Sequence, residues 1–245
     1  MLNNQTKQHL VQLGLKGMQS AFEIQQQQPE IQRLSFEDRF GMLVDAEIND
    51  RDSRKIERIK RSAKLRQNRA CIEDIDYHPS RKLDHSLIMS LANCDWINRH
   101  QNLIITGATG TGKSWMTCAI ADQACRQKYS TYYTTATKLF EDLSRAQVDG
   151  TMVKFRRMLV RTQLLIIDDL GIGGIDNSLG PILLDIIDLQ SQNGALLIAS
   201  QYPTKKWYDL FNDPTIADAI LDRIVHQAHF IQLHGESLRK TKAKS

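Results

Sequence analysis

Asn102-Leu103-Ile104-Ile105-Thr106 runs directly into Gly107-Ala108-Thr109-Gly110-Thr111-Gly112-Lys113-Ser114, an apolar strand pattern that turns into a glycine-rich loop. The loop satisfies G-x-x-x-x-G-K-[ST] at every required position, and a helical pattern follows it over 113–127. Glycines let the backbone turn through positive φ and bring N–H groups against phosphate oxygens. The helix opening behind them presents its positive dipole end to the same anion. Lys113 is expected to reach the β- and γ-phosphates, and the Ser114 hydroxyl to ligate Mg²⁺. Gly107, Ala108, Thr109, Gly110, Thr111, Gly112, Lys113 and Ser114 are therefore candidate residues for binding a nucleoside triphosphate. Trp115 is unusually large for its place after the loop and is expected to pack against the sheet.

A second acidic strand lies downstream. Leu164-Leu165-Ile166-Ile167-Asp168-Asp169 places two carboxylates at the end of an apolar run, the Walker B pattern. By itself such a run reads equally as a core strand ending in a solvated turn, because Gly171, Gly173 and Gly174 follow. Paired with a phosphate loop, it predicts Asp168 beside Mg²⁺ and Asp169 facing the attacking water. Asp169 is one methylene shorter than the Glu common at that position. The run 195–200 ends in Ser200-Gln201, where a polar side chain could orient water or sense the γ-phosphate. The residue types do not choose between the two. Arg223, in Ile220-Leu221-Asp222-Arg223-Ile224-Val225, either pairs with Asp222 or Asp218 or reaches a neighbouring subunit's γ-phosphate.

Around these motifs, β-rich runs at 102–106, 130–134, 163–168, 195–200 and 229–233 alternate with helical patterns at 113–127, 136–146, 178–193 and 215–226. That alternation predicts an α/β fold with a parallel sheet covered on both faces. The front of the chain reads as helical. Leu15, Met18 and Phe22 make one apolar stripe, ended by Gln25–Gln28 and Pro29. Ser35-Phe36-Glu37-Asp38 is a capping box opening a second helix, on which Phe36, Phe40, Val44 and Ile48 recur every four residues. The helix either runs long or breaks once before residue 75. An all-helical domain over 1–70 followed by a nucleotide-binding domain over 71–245 is expected, which agrees with the prior for 245 residues.

Charge is concentrated. Residues 51–69 hold nine Lys/Arg (Arg51, Arg54, Lys55, Arg58, Lys60, Arg61, Lys64, Arg66, Arg69) against Asp52 and Glu57, an excess of seven in a chain of net charge +4. A solvated helix face and an acidic protein partner both fit this run, but so large an excess favours a polyanion such as duplex DNA. With 41 % apolar and 24 % charged residues, the chain is neither wholly disordered nor collagen-like. Its purely apolar runs fall far short of the roughly 20 residues of a membrane span. MLNNQTKQHLVQLGLKG lacks a signal-peptide pattern, so the cytoplasm is expected. Cys71, Cys94, Cys118 and Cys125 have no zinc-type spacing and are expected to be reduced and buried. The His226/His229 pair has no further zinc-finger partner.

The series GATGTGKS, LLIIDDLG, IASQYP, DPTIADAILDRIVHQAH and GESLRK resembles the IstB family of ATP-binding helpers of insertion-sequence transposons, as do LGLKGMQSAF and LSFEDRFGMLVDAEINDRDSRKIERIKRSAKL nearer the start. The resemblance covers about residues 8–240. It implies a AAA+ P-loop core with strand order 5-1-4-3-2, close to the DnaC-type helicase loaders, behind a small helical domain for DNA binding and oligomerisation. It further implies ATP and Mg²⁺ as cofactors, ATP hydrolysis, homo-oligomers on duplex DNA without strong sequence preference, and a transposase partner of the IstA type. Arg223 resembles the arginine finger, and Arg239 in GESLRK a sensor-2 arginine contacting the nucleotide, although little sequence after the last strand remains for a lid. Lys154, Arg156, Arg157 and Arg161 occur without an acid over 150–161 and, in a ring of subunits, would face DNA; the alternative is a basic helix face. A DnaC-type helicase loader is the alternative function. A small-molecule kinase lacks the arginine-rich lid it would need, and a scaffold that hardly hydrolyses ATP is the reading that Asp169 leaves open.

Overall fold

The computed structural model describes residues 2–172 and 179–236. The chain divides into two compact units, residues 1–58 and 59–245. In the first, α1 (Leu2–Gln12) and α2 (Lys16–Gln27) precede α3 (Phe36–Ala63), whose last residues belong to the second unit. Ser35 caps α3: the Asp38 N–H donates to Ser35 Oγ at 3.1 Å, and the Ser35 hydroxyl in turn donates to Asp38 Oδ2 at 2.8 Å, in place of the backbone bond that would complete a capping box. With no Pro or Gly beyond Gly41, α3 runs its 28 residues unbroken.

The start of α2 has no cap of its own, since Leu15 offers no side-chain acceptor. Glu47 of α3 supplies it, accepting from the N–H groups of Gly17 (2.8 Å) and Met18 (3.2 Å). An anion there satisfies orphan donors and complements the helix dipole. Gly17 makes the approach possible: a Cβ on it would lie 2.7 Å from Glu47 Cα and closer still to the Ala46 carbonyl.

The second unit contains α4 (His85–Ala92), α5 (Asp95–Asn98), β1 (Asn102–Gly107), α6 (Lys113–Arg126), β2 (Thr131–Thr135), α7 (Ala136–Val148), α8 (Met152–Val160), β3 (Leu164–Leu170), α9 (Gly180–Asn193), β4 (Ala195–Ser200), α10 (Pro214–Val225) and β5 (Ala228–Leu233). The five strands form one parallel sheet in the order β2-β3-β4-β1-β5, which is the expected 5-1-4-3-2 taken from the opposite edge. Successive strand residues point to opposite faces, and both faces are buried along β1 to β4, whereas the edge strand β5 leaves Phe230 and Gln232 exposed on one face. Leu103 and Ile105 join Met116 and Ile120 of α6 and Leu91 of α4, whereas Ile104 joins Leu143 of α7 and Ile187 of α9. Leu164 and Ile166 of β3 face the first cluster, Leu165 and Ile167 the second. Each such side chain contributes about 1.5–3 kcal/mol when fully buried.

Helices α4 and α5 have no counterpart among the helical patterns in the sequence, and α8 corresponds only to the basic helix face given as an alternative over 150–161. They span only 8, 4 and 9 residues, too short for a clear apolar period. Among the cysteines, Cys94, Cys118 and Cys125 are buried free thiols, while Cys71 is only half-buried, which departs from the expectation for it. Burial pushes the Cys94 thiol up to about 12 and that of Cys125 to about 11.

Candidate nucleotide site

The loop between β1 and α6 opens at the carboxyl end of the sheet, where open α/β folds bind ligands. Gly110 (φ 88°) and Gly112 (φ 94°) take left-handed backbone that a side chain would resist, and Gly112 is the N-cap of α6. Lys113 Nζ donates to the carbonyls of Gly107 (2.8 Å) and Ala108 (3.0 Å), which sets the ammonium in the mouth of the loop. The Thr111 hydroxyl donates to the Ala108 carbonyl at 2.8 Å and stiffens the turn. Arg81, from the segment before α4, donates to the Thr111 carbonyl at 3.0 Å and braces the loop from outside.

Strand β3 slips its register with β4 between Ile167 and Leu170, and Asp169 within that bulge adopts φ 58°. Bulges re-aim side chains, and this one separates the two acids. Asp168 points inward with no exposed surface. Its Oδ2 accepts from the Tyr133 hydroxyl at 2.7 Å and its Oδ1 from the Asp169 N–H at 2.9 Å. Asp169 instead lines a cavity of about 620 Å³ shared with Thr109, Gly110, Gly112, Lys113, Ser114, Trp115 and Gln201. Of the pair that ends β4, Gln201 belongs to this cavity, and its Oε1 accepts from the Thr109 hydroxyl at 3.0 Å. Ser200 does not reach it: its hydroxyl is buried, donating to the Leu170 carbonyl (2.7 Å) and accepting from the Tyr202 N–H (3.1 Å).

The residues suit Mg²⁺ arriving with a nucleotide. Asp168 is a fully buried carboxylate that no cation pairs among the described residues, and buried charge demands a counter-charge. A carboxylate and the Ser114 hydroxyl are the hard oxygen donors this ion takes, with phosphate and water completing its shell. No group of three or more His, Cys, Asp or Glu that could hold a metal ion occurs among the described residues.

Several expected positions lie elsewhere. Arg223 pairs with neither Asp218 nor Asp222: its Nε donates to Asp188 Oδ1 of α9 at 2.7 Å and its Nη1 to the Ala219 carbonyl at 2.9 Å. It lies outside the cavity of its own chain. Arg239 is outside the described residues. The basic residues divide. Arg51 and Arg54 pair with Glu47 and Asp50, Lys60 with buried Asp122 at 2.6 Å, and Arg156 with Asp185; Lys64 lies over the Tyr132 ring. Arg66 turns to the cavity, 3.7 Å from Asp169. Lys55, Arg58, Arg61, Arg69, Lys154 and Arg157 are exposed and make no salt bridge among the described residues. Sequence reasoning missed Arg66 and Arg81 as cavity residues and Tyr133 altogether, and it read Trp115 only as packing. Trp115 does pack on the α6-side cluster, but it also walls the cavity. Only the odd size of Trp115 offered a signal.

A parallel sheet in this order, with a phosphate loop after β1 and paired acids ending β3, is the fold of the AAA+ P-loop proteins. The family described as IstB-like ATP binding protein matches residues 8–245, and the chain belongs to it. It is similar to an insertion sequence ATP-binding protein of Sinorhizobium fredii, 40 % identical over 244 residues that cover 100 % of this chain and 99 % of that one. Domain III of the Thermotoga maritima replication initiation protein DnaA superposes with a TM-score of 0.59 at 18 % identity, over 71 % of this chain and 70 % of that one. The crystal structure of DnaI does so at 0.54 and 20 % identity, over 67 % of this chain and 91 % of that one. These two likenesses concern the fold. Among the described residues no helix is long and apolar enough to cross a membrane.

Proposed function

We propose that this chain is an ATPase that serves transposition: it binds ATP with Mg²⁺, assembles as a homo-oligomer on duplex DNA without strong sequence preference, hydrolyses ATP and stimulates a transposase of the IstA type. The observation that carries this reading is the convergence of Lys113, Ser114, Asp169 and Gln201 on one cavity, with the buried carboxylate of Asp168 next to Asp169 in the chain. The loop amides and Lys113 bind the phosphates, Asp168 and Ser114 hold Mg²⁺, and Asp169 and Gln201 orient the attacking water. Bound Mg²⁺ neutralises charge on the β- and γ-phosphates. The helical front end, drawn at 1–70 in the sequence, serves DNA binding and oligomerisation, and the protein works in the cytoplasm.

The exposed cations Lys55, Arg58, Arg61, Arg69, Lys154 and Arg157, which make no salt bridge among the described residues, support the DNA part of this reading. If all of them neutralise phosphates, log K falls against log salt with a slope of about −5, at about −0.9 per contact. The test measures ATP turnover and sedimentation of the full chain with and without duplex DNA, ATP and Mg²⁺. ATP-dependent assemblies on DNA that dissolve steeply with salt are expected. A protein that stays monomeric in ATP, Mg²⁺ and DNA at low salt overturns the reading, and recovery of a replicative helicase in place of a transposase from a pull-down moves it to the helicase loaders.

A further inference from the structure

The hydroxyl of Tyr133 belongs to no motif, yet it donates 2.7 Å to the carboxylate of Asp168 from inside the protein. Tyr133 lies at the centre of β2 opposite Ile166 of β3, so its side chain reaches two residues further along the neighbouring strand. The ring packs in the α6-side cluster at 7 % exposure, and Asp168 has none. Neither group can exchange its partner for water.

Asp168 is thus held at both oxygens, Oδ2 by β2 and Oδ1 by the main-chain N–H of Asp169. A carboxylate offers about four lone-pair positions, so one on each oxygen remains. The terminal torsion of an Asp side chain is soft, and a single donor would let the group swing. Donors on both oxygens, one of them from another strand, hold its plane.

We infer that Tyr133 is a positioning residue for the metal–nucleotide complex: its hydroxyl sets the one orientation in which Asp168 meets Mg²⁺. This rests on the reading of Asp168 as the metal-side carboxylate. Hydrogen-bonded outer partners of this kind change metal affinity by about 10–100-fold when removed. The effect lies in metal dependence, whereas the loop amides and Lys113 still grip the phosphates.

The test is Y133F, which removes the hydroxyl and keeps the ring. Binding of a fluorescent ADP analogue to the full chain is titrated with Mg²⁺ and repeated in EDTA. The Mg²⁺ concentration at half effect should rise about tenfold, with affinity in EDTA unchanged. A merely structural tyrosine would instead lower the thermal midpoint and weaken binding in EDTA as well, and that result overturns the inference. With no anion left to orient, Y133F in a D168N background should change nothing further; additive effects count against it. A Y133F half-point equal to that of the unmodified chain overturns the inference and leaves the nucleotide reading standing. An unmodified chain whose binding ignores Mg²⁺ overturns both. If Y133F does not fold, a crystal structure of the unmodified chain with ADP and Mg²⁺ decides: Tyr133 Oη still bonded to a metal-side Asp168 is expected, and a hydroxyl turned away refutes it.

Discussion

Replacing Arg223 by alanine separates the two roles open to this residue. Within its own chain the guanidinium donates to Asp188 at 2.7 Å and to the Ala219 carbonyl at 2.9 Å. The side chains of the ion pair are 35 % and 43 % exposed, so solvent screens them. Such a pair contributes about 0.2–1 kcal/mol. In a chain of this size that is a shift of at most about 4 °C in the thermal midpoint. An arginine that completes a neighbour's γ-phosphate site accounts for about 10³–10⁵ in kcat, or about 4–7 kcal/mol. The two roles therefore differ several-fold in energy and are read by different instruments. The assay is ATP turnover with duplex DNA at concentrations where the unmodified chain assembles, beside a thermal melt. R223A should lose about three orders of magnitude in turnover and almost no stability. D188A, which breaks the same pair but keeps the arginine, should retain turnover. Mixing R223A with K113A should restore part of it, because some junctions then join an intact loop to an intact Arg223. R223A that turns over within about threefold of the unmodified chain, a kinetic difference near 0.6 kcal/mol, or a mixture that stays inactive, refutes a role across the subunit junction.

Two further outcomes follow from the packing. The Arg51 side chain, with the N–H groups of Met18 and Gly17, holds the Glu47 carboxyl below its ordinary 4.5 against the opposing effect of burial. A folded-state value below the unfolded one means that the stabilisation is complete above about pH 4.5 and is lost as pH falls through the lowered value; urea midpoints should show E47Q converging on the unmodified chain in acid, and a constant gap at all pH contradicts this. Asn102, 3 % exposed, donates to the carbonyls of Arg223 (3.0 Å) and Ile224 (3.1 Å) and accepts from the Leu196 N–H (3.0 Å), tying β1 to α10 and β4. N102A strands these groups and should cost about 3 kcal/mol in urea unfolding, so a loss below about 1 kcal/mol would show that water replaces the side chain.

Much of this architecture was legible in advance because its determinants are local. Strands buried on both faces must be continuous apolar runs, and Leu164–Ile167 and Ala195–Ala199 are such runs. The Ser35 cap on the Asp38 N–H needs only one turn of helix to form. The front end was harder to place. The apolar stripe and the charge excess of residues 51–69 were evident, but which of these cations face solvent depends on where acids such as Asp122 and Asp169 arrive. Lys60 and Arg66, which belong to the second unit themselves, meet Asp122 at 2.6 Å and Asp169 at 3.7 Å.

The sequence by itself determined the phosphate loop and its neighbours, since eight contiguous residues carry the turn, the helix start and the cation, and a strand of known direction leads into them. Only the tertiary structure decided that Gln201 meets the loop while Ser200 is buried, that Arg223 pairs with Asp188, and that Tyr133 holds Asp168. Each of these is a contact between residues 30 or more positions apart. No local pattern encodes such a contact, because it exists only once parallel strands have set their register and the β3 bulge has turned two adjacent carboxylates in different directions.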